Sequence, residues 1–179
     1  MSRKAPLTAV FFDRDGVLNV DHGYVCEPER LDWIPGAREA VAALNAAGVK
    51  VLVVTNQSGV ARGYFTEAQV DAFHAALQAG LAEVGGRIDA FYVAPHHEDA
   101  VDARYRHPDH PDRKPNPGMI LRGLADWLLD PAQAVLVGDK ASDVEAARRA
   151  GVEGLRFRGG DLLAFLRENL GGRFPSPAR

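Results

Sequence analysis

AVFFDRDG, at residues 9–16, is a short apolar run that ends in two carboxylates and a glycine. Strand side chains alternate between faces, so Asp13 and Asp15 share one side if the backbone stays extended until Gly16 lets it turn. Two carboxylates at the carboxyl end of a strand suit a nucleophile beside an acid/base, with a divalent cation between them. A solvated turn or a structural cation site would also explain the pair taken alone.

The composition bounds the size and cysteine chemistry of the protein. With 179 residues, of which 46% are hydrophobic, the chain can bury one sizeable core. We predict one domain over 1–179, with its core at about 7–170 and a flexible Gly/Pro-rich tail at 171–179. The single cysteine, Cys26, excludes an internal disulfide and a cysteine-based zinc cage.

Charge and hydropathy indicate the partners and the compartment. The formal net charge of -3 gives no overall basic field of the kind that attracts nucleic acid. The N-terminus has no apolar stretch of signal-peptide length, and no segment is long and apolar enough to span a membrane. We therefore expect a soluble, cytoplasmic, monomeric protein without nucleic-acid or membrane partners.

Short β-branched and apolar runs alternate with amphipathic, alanine-rich stretches along the chain. Because parallel strands need crossover connections, this alternation predicts an α/β fold, a Rossmann-like doubly wound parallel sheet. Ligands bind outside the carboxyl ends of the strands in such sheets, and the long segments 19–35 and 94–116 are expected there as specificity loops. The predicted strands are 8–12, 49–54, 88–93, 134–137 and 154–157, and the predicted helices are 37–47, 67–84, 118–129, 142–150 and 162–169.

Two polar motifs fall near the carboxyl ends of other predicted strands. Thr55 begins the segment TNQSG, whose hydroxyls, amides and backbone N–H groups could hold phosphoryl oxygens. Lys114 suits one phosphoryl oxygen, and the fork of Arg113 suits a more remote anionic group. An ordinary polar turn and a surface charge pair are the alternative interpretations of these motifs taken singly.

A pair of acids follows the fourth predicted strand. Asp139 and Asp143 are four residues apart at the start of a helix, which suits one metal ligand and one supporting carboxylate. Asp143 is otherwise explained as a first-turn acid favoured by the helix dipole. Since four such motifs occur in order at four strand ends, we favour one shared site over four unrelated surface features.

The motif order Asp-x-Asp-Gly, Thr, Lys and Gly-Asp-x-x-x-Asp resembles the haloacid dehalogenase superfamily of phosphatases over residues 8 to 151. More narrowly, the chain resembles the D-glycero-D-manno-heptose 1,7-bisphosphate 7-phosphatases, whose close relatives are the histidinol-phosphate phosphatases. The segment 21–24 favours the heptose family because it resembles that family's substrate-contacting loop. No insertion of cap-domain size occurs between 16 and 55 or between 55 and 114. The motifs that carry the narrower resemblance are DRDG at 13–16, DHGYV at 21–25, TNQSGVARG at 55–63, RKP with PGM at 113–119, and VGDK at 137–140.

The resemblance implies phosphate-monoester hydrolysis in two displacements with Mg²⁺ as cofactor. Asp13 would attack phosphorus to give an aspartyl-phosphate, and Asp15 would protonate the leaving sugar oxygen and then deprotonate the hydrolytic water. Lys114 and the Thr55 hydroxyl would hold the other phosphoryl oxygens. Mg²⁺ would bind Asp13, the backbone carbonyl of Asp15, and Asp139.

The resemblance also implies a substrate, heptose 1,7-bisphosphate, and a product, heptose 1-phosphate, which serves nucleotide-activated heptose and cell-envelope polysaccharide synthesis. Binding energy from the remote phosphate would help to orient the reacting one. The residues that would contact the sugar and its second phosphate are Asp21, His22, Gly23, Tyr24, Asn56, Gln57, Ser58, Arg113 and Lys140.

The chain departs from the heptose family in one loop. That family commonly carries a zinc loop with Cys-x-His and, directly before Arg-Lys-Pro, Cys-x-Cys. The corresponding positions here are Ala94 with His96, and His110 with Asp112, and the loop also holds His97 and His107. A zinc site rebuilt from histidine and aspartate is one interpretation. We favour a polar loop without zinc, as in most histidine-rich loops.

Two other functions compete with a heptose bisphosphatase. One is a phosphatase of the same chemistry acting on histidinol phosphate or another small sugar phosphate, whereas the negative net charge disfavours a polynucleotide substrate. The other is a phospho-ligand sensor that has lost catalysis. The complete set Asp13, Asp15, Thr55, Lys114 and Asp139 argues against the sensor.

Overall fold

A computed structural model describes residues 5–175 of the chain. Within these residues all five strands belong to one parallel sheet, in the order β3-β2-β1-β4-β5. This arrangement confirms the predicted Rossmann-like α/β fold. The strands are β1 Ala9–Phe12, β2 Lys50–Asn56, β3 Ala90–Ala94, β4 Ala134–Gly138 and β5 Glu153–Arg156.

Each predicted helix is present, although two end at least two residues earlier than predicted. The third ends at Asp126 rather than at 129, because Leu128 takes a left-handed φ of 52° and the Leu129 N–H bonds back to the Leu124 carbonyl. The second ends at Ala82, shortly before Gly85 with its φ of 76°. The helices are α1 Ala37–Ala46, α2 Glu67–Ala82, α3 Gly118–Asp126, α4 Ala141–Arg149 and α5 Leu162–Leu170.

The sheet is covered on both faces, as a buried parallel sheet requires. In β1, Val10 and Phe12 face one apolar cluster with α1 and α5, while Ala9 and Phe11 face a second cluster with α3 and α4. All four side chains are fully buried, so β1 carries apolar residues on both faces. This central position puts the residues that follow β1 between the ends of β2 and β4.

Long connections occupy the carboxyl edge of the sheet. Residues 13–36 join β1 to α1, and residues 95–117 join β3 to α3. A third apolar cluster packs Phe73 and Leu77 of α2 against Val25 and Val60, beneath the first of these connections. Among residues 5–175, no helix is both long enough and apolar enough to cross a membrane.

The end of the described chain, which belongs to the predicted flexible tail over 171–179, packs against the core. Gly171–Arg173 forms a 3-10 turn, and Phe174 is 6% exposed in the same apolar cluster as Leu170 and Phe157. The Gly/Pro-rich composition of the tail gave no sign that its aromatic residue reaches the core, and flexibility of the tail stays a prediction. Residues 176–179 lie outside the described part of the chain.

We expect Phe174→Ala to lower the free energy of unfolding by about 3 kcal/mol, because it removes a buried aromatic ring from the core. Denaturant unfolding followed by circular dichroism measures the change. Leu128→Ala is the control, since Leu128 is 93% exposed and its truncation should change stability by less than about 0.5 kcal/mol. Equal effects of the two substitutions would contradict the docking of Phe174.

Candidate active site

The predicted acids meet at the carboxyl ends of the three central strands. Asp13 directly follows β1, and its N–H bonds to the Val137 carbonyl of β4 at 2.9 Å, so the strand pairing continues up to the carboxylate. The chain then turns at Gly16, whose φ is 83°. A side chain at Gly16 would also meet the carboxylate of Asp139, which follows β4, so a residue without Cβ is required there.

Lys114 is buried at the centre of this group. Its ammonium lies 2.9 Å from Asp13 Oδ1 and 2.6 Å from Asp143 Oδ1, and it donates to the Val54 carbonyl at 2.8 Å. Asp13, Lys114 and Asp143 are 5%, 4% and 1% exposed, so the ion pairs form away from solvent. The predicted supporting carboxylate, Asp143, is therefore a direct partner of the lysine.

Burial and the ion pairs set the charges of these groups. Burial raises the pKa of Asp13 to about 7, and the positive charge of Lys114 limits the rise. Burial disfavours the Lys114 cation, but Asp13 and Asp143 outweigh this effect and raise its pKa. Burial also raises the pKa of Asp139, against the opposing charge of Lys140. Asp13, Asp139 and Asp143 thus hold more negative charge than the Lys114 ammonium among them balances.

Asn56 fixes the backbone of the loop that carries Lys114. Its side-chain amide donates to the Lys114 carbonyl at 3.0 Å and accepts from the Lys114 N–H at 3.0 Å. Asn56 is the last residue of β2, so this reciprocal pair attaches a distant loop to the sheet edge. We predicted Asn56 as a substrate contact, and the structure adds this loop-holding role.

Asp15 is surrounded by N–H donors. Arg14 donates to it through Nε and Nη2, each at 3.0 Å, and Asn19 and Gln57 each donate at 2.9 Å. Gln57 also donates to the Thr55 hydroxyl at 2.8 Å, which links Asp15 to the end of β2. Sequence reasoning missed the parts of Arg14 and Asn19, although Arg14 lies between the two predicted catalytic acids.

The acids offer a set of oxygens suited to a hard divalent cation. Ligand atoms of Asp13, Asp139 and Asp143 all lie within 4.8 Å of one another. The Oδ1 atom of Asp139 is buried and has no hydrogen-bond partner among residues 5–175. Carboxylate oxygens are the ligands that Mg²⁺ prefers, and its charge would offset the excess negative charge, so these residues fit that ion. The Asp15 carboxylate is not in the group, and that Asp15 offers its backbone carbonyl to the metal stays a prediction.

Two adjoining cavities lie over these side chains. The inner one, about 40 Å³, is lined by Asp13, Asp15 and Lys114, and the outer one has a volume of about 530 Å³. A larger cavity of about 770 Å³ lies elsewhere, but it is lined mainly by apolar residues and contains none of the predicted site residues. The predicted substrate contacts that line the outer cavity are Asp21, Gly23, Tyr24, Asn56, Gln57, Ser58, Arg113 and Lys140.

The lining differs from the prediction at two positions. His22 does not line either cavity, because its ring turns to the exposed side of the loop and lies 3.1 Å from Asp32. Ser142, which the sequence did not single out, lines both cavities at the start of α4. A serine in the first helical turn is common for structural reasons alone, so no sequence signal marked it.

The histidine loop is packed around a pair of rings. His96 and His110 stack at 3.6 Å between ring centroids, and the edge of His107 lies against His110 at 5.1 Å. Burial lowers the pKa of His96, and the neighbouring His110 lowers it further. Asp112 is engaged by Arg122 at 2.6 Å. Within the described residues, the potential zinc ligands of this loop do not converge as the three site aspartates do. That the loop binds no zinc stays a prediction.

Comparison with known proteins places the chain among phosphatases. A family model for haloacid dehalogenase-like hydrolases matches residues 20–151. A D-glycero-beta-D-manno-heptose-1,7-bisphosphate 7-phosphatase of Rhodopseudomonas palustris is 46% identical over 172 residues, covering 95% of this chain and 94% of the relative. The enzyme of the same name from Vibrio cholerae is 44% identical over 144 residues, covering 80% and 77%.

A solved structure agrees with these relatives. The D,D-heptose 1,7-bisphosphate phosphatase of B. bronchiseptica, complexed with magnesium and phosphate, matches with a TM-score of 0.77 and 33% identity, covering 97% of this chain and 91% of that one. The fold and the clustered acids define a phosphomonoester hydrolase. The chain belongs to the haloacid dehalogenase-like hydrolase family, as its motif order predicted.

We expect Asp13→Asn to melt at a higher temperature than the wild type at pH 8 in metal-free buffer, and by a smaller margin at pH 5. The raised pKa, about 7 against 3.8, means that native stability is lost as the pH rises through 7, when the buried carboxyl must ionise. Each kcal/mol relieved raises the melting temperature by about 2–4 °C in a chain of this size.

Differential scanning calorimetry with EDTA measures this effect. The exposed Asp71→Asn serves as the control for loss of one carboxylate and should show no gain at pH 8. The gain in melting temperature is the value for Asp13→Asn minus that for the wild type. A smaller gain at pH 8 than at pH 5 would contradict the assigned cost of the buried charge.

Proposed function

We propose that this protein is a Mg²⁺-dependent phosphatase that removes the 7-phosphate of D-glycero-β-D-manno-heptose 1,7-bisphosphate. The observation that carries the proposal is the buried Lys114 ammonium, 2.9 Å from Asp13, beside the outer cavity lined by Arg113 and Lys140. One end of this site suits a reacting phosphate, and the other offers cations for a second one. The names of the relatives support the substrate and its β anomer.

The first displacement uses Asp13 as nucleophile. One carboxylate oxygen of Asp13 bonds to phosphorus while the bond from phosphorus to the sugar oxygen breaks. Asp15 transfers a proton to that leaving oxygen, so the sugar departs as an alcohol and Asp15 becomes a carboxylate. Lys114, already 2.9 Å from Asp13, balances the negative charge that the phosphoryl group brings.

The second displacement regenerates the enzyme. Asp15, now ionised, takes a proton from a water molecule whose oxygen bonds to phosphorus as the aspartyl oxygen leaves. Asp13 returns as a carboxylate and inorganic phosphate is released. The Thr55 hydroxyl accepts from Gln57 at 2.8 Å and is 1% exposed near the end of β2; in this proposal it donates to a phosphoryl oxygen.

Asp13, Asp139 and the backbone carbonyl of Asp15 would hold Mg²⁺, which when bound supplies positive charge to the phosphoryl oxygens. Asp143 has a different task in this proposal. It pairs with the Lys114 ammonium at 2.6 Å and accepts from the Lys140 N–H at 2.9 Å, so it orients the lysine and the start of α4. The lysine stays charged because two carboxylates face it.

The outer cavity supports a substrate with a second anionic group. Its volume of about 530 Å³ suits a sugar phosphate, and its lining includes the cations Arg113 and Lys140 and the polar side chain of Ser58. The product would be heptose 1-phosphate, which feeds nucleotide-activated heptose and cell-envelope polysaccharide synthesis. The monomeric state, the cytoplasmic location and the absence of nucleic-acid partners stay predictions.

A substrate panel tests the proposal directly. We expect phosphate release with Mg²⁺ to be far more efficient on the β anomer of heptose 1,7-bisphosphate than on the α anomer, histidinol phosphate, fructose 1,6-bisphosphate or a 3′-phosphorylated oligonucleotide. EDTA should abolish the activity, and added Mg²⁺ should restore it. Higher efficiency on histidinol phosphate would overturn the substrate, and activity unaffected by EDTA would overturn the metal requirement.

Asp13→Asn should reduce phosphate release by at least about 10³-fold, because an amide cannot act as the nucleophile. Stopped assays on the best substrate of the panel measure the loss, and circular dichroism checks the fold. Asp126→Asn is the matched control, since Asp126 accepts from the Tyr92 hydroxyl at 2.9 Å outside the site and its amide can still accept. Substantial turnover by Asp13→Asn in a pure preparation would sink the mechanism.

A further inference from the structure

Arg14 is the largest fully buried side chain among residues 5–175. It lies between Asp13 and Asp15 in sequence, and the mechanism above gives it no chemical task. Taking a guanidinium out of water is costly, and Arg14 Nη1 is buried without a hydrogen-bond partner among residues 5–175. The contacts of Nε and Nη2 must therefore offset that cost. The contacts of Arg14 therefore indicate what its burial achieves.

The guanidinium binds the Asp15 carboxylate through two of its nitrogens, which together form a fork. Its Nε donates to Asp15 Oδ1 and its Nη2 donates to Asp15 Oδ2, both at 3.0 Å. The same Nη2 donates to the Val25 carbonyl at 2.6 Å, and the guanidinium carbon lies 4.5 Å from the centre of the Phe73 ring. A carbonyl on one side and an aromatic face on the other leave the fork little freedom to move.

The other donors to Asp15 complete this restraint. Asn19 donates to Oδ1 and Gln57 donates to Oδ2, so each carboxylate oxygen has one contact from the fork and one from an amide. Rotation of the carboxyl group would break both bonds to the fork at once. Two donors on each oxygen is the pattern of an ionised carboxylate, so the proton that Asp15 gives to the leaving oxygen must take the place of one amide contact. The fork fixes the plane of the carboxyl group meanwhile, and such positioning is what makes general acid catalysis effective.

We propose that Arg14 is a positioning residue for proton transfer by Asp15, an inference that rests on the proposed function. It also ties this acid to the segment at 21–25, through the Val25 carbonyl, and that segment lines the outer cavity. The reaction step is unchanged: the O–H bond of Asp15 breaks, an O–H bond forms on the sugar, and the electron pair of the broken P–O bond stays on that oxygen.

Substrates with different leaving groups distinguish a positioning role of Arg14 from a merely structural one. An alkyl phosphate needs a proton on its leaving oxygen, whereas p-nitrophenolate leaves without one. In Arg14→Met, we expect turnover of the best alkyl phosphate to fall by at least about 10²-fold, the usual share of general acid catalysis. Release of p-nitrophenolate in the first turnover should fall less than about tenfold, because nucleophilic attack by Asp13 remains.

Rapid mixing of enzyme with p-nitrophenyl phosphate measures release of p-nitrophenolate in the first turnover and then in the steady state. Turnover of the sugar phosphate is measured in separate steady-state assays. Arg14→Met should give a first-turnover burst and then slow turnover, since Asp15 must also activate water. Arg14→Lys keeps the positive charge but loses the fork, so it too should lose more activity on the alkyl phosphate than in the first turnover of p-nitrophenyl phosphate. It replaces Arg14→Met in the test if Arg14→Met does not fold. Arg38→Met is the control, because Arg38 also joins a carboxylate, Glu83, and an aromatic ring, Trp33, away from the site.

The positioning role of Arg14 would be overturned if the first-turnover release of p-nitrophenolate fell as much as turnover of the alkyl phosphate, or if turnover of the alkyl phosphate fell by less than about threefold. Those results leave the proposed function intact, because the wild type still hydrolyses both substrates in the same assay. A wild type that releases phosphate from neither substrate would overturn the proposed function, and with it this inference.

Discussion

The buried ammonium of Lys114 is the interaction on which the rest of the site depends. It contacts Asp13, Asp143 and the Val54 carbonyl, so one cation joins the residues after β1, the start of α4 and the backbone of β2. Without it, two carboxylates would lie buried with no opposite charge, which is far more costly than burying the pair together. The lysine comes from a connection of more than twenty residues, and the reciprocal bonds of Asn56 hold that connection to the sheet.

The balance of charge around this lysine explains why the site is suited to its chemistry. Three buried or half-buried aspartates surround one ammonium. Burial, and to a lesser extent the charge of Asp143, raises the pKa of Asp13 and of Asp139, so the free site favours extra protons. A divalent cation bound there would relieve this excess and would favour the ionised form of Asp13, which the proposed nucleophile needs. The electrostatic cost that lowers stability in the free protein would then contribute to the binding of the metal.

Much of this arrangement could be predicted from the sequence, since strands and motifs obey local rules. The alternation of apolar runs and amphipathic stretches predicted all five strands and five helices, and motifs at successive strand ends predicted which side chains meet. The parts that could not be predicted depend on contacts between distant segments. The early end of α3 depends on the left-handed backbone of Leu128, and the packed Phe174 depends on a core pocket that composition does not reveal.

The orientation of individual side chains at the site could not be predicted from the sequence either. His22 and Tyr24 belong to the same short segment, yet Tyr24 lines the outer cavity while His22 pairs with Asp32 outside it. Arg14 is a charged residue next to two acids, and sequence alone cannot distinguish a solvated arginine from one that is fully buried. Its burial is settled by Phe73 and Val25, which come from other parts of the chain.

The position of Arg113, one of the cations that line the outer cavity, depends on the histidine loop. Arg113 donates to the His96 carbonyl at 3.2 Å, and the His96 ring stacks on His110, three residues before Arg113. Both ends of the loop segment that positions Arg113 are thus joined through one pair of rings. In this chain, ring packing and the bond from Arg122 to Asp112 occupy the positions where the resembling family has zinc ligands. The placement of Arg113, and with it the proposed recognition of a second phosphate, therefore depends on side-chain packing within this loop, whereas the placement of Asp13 depends on the sheet.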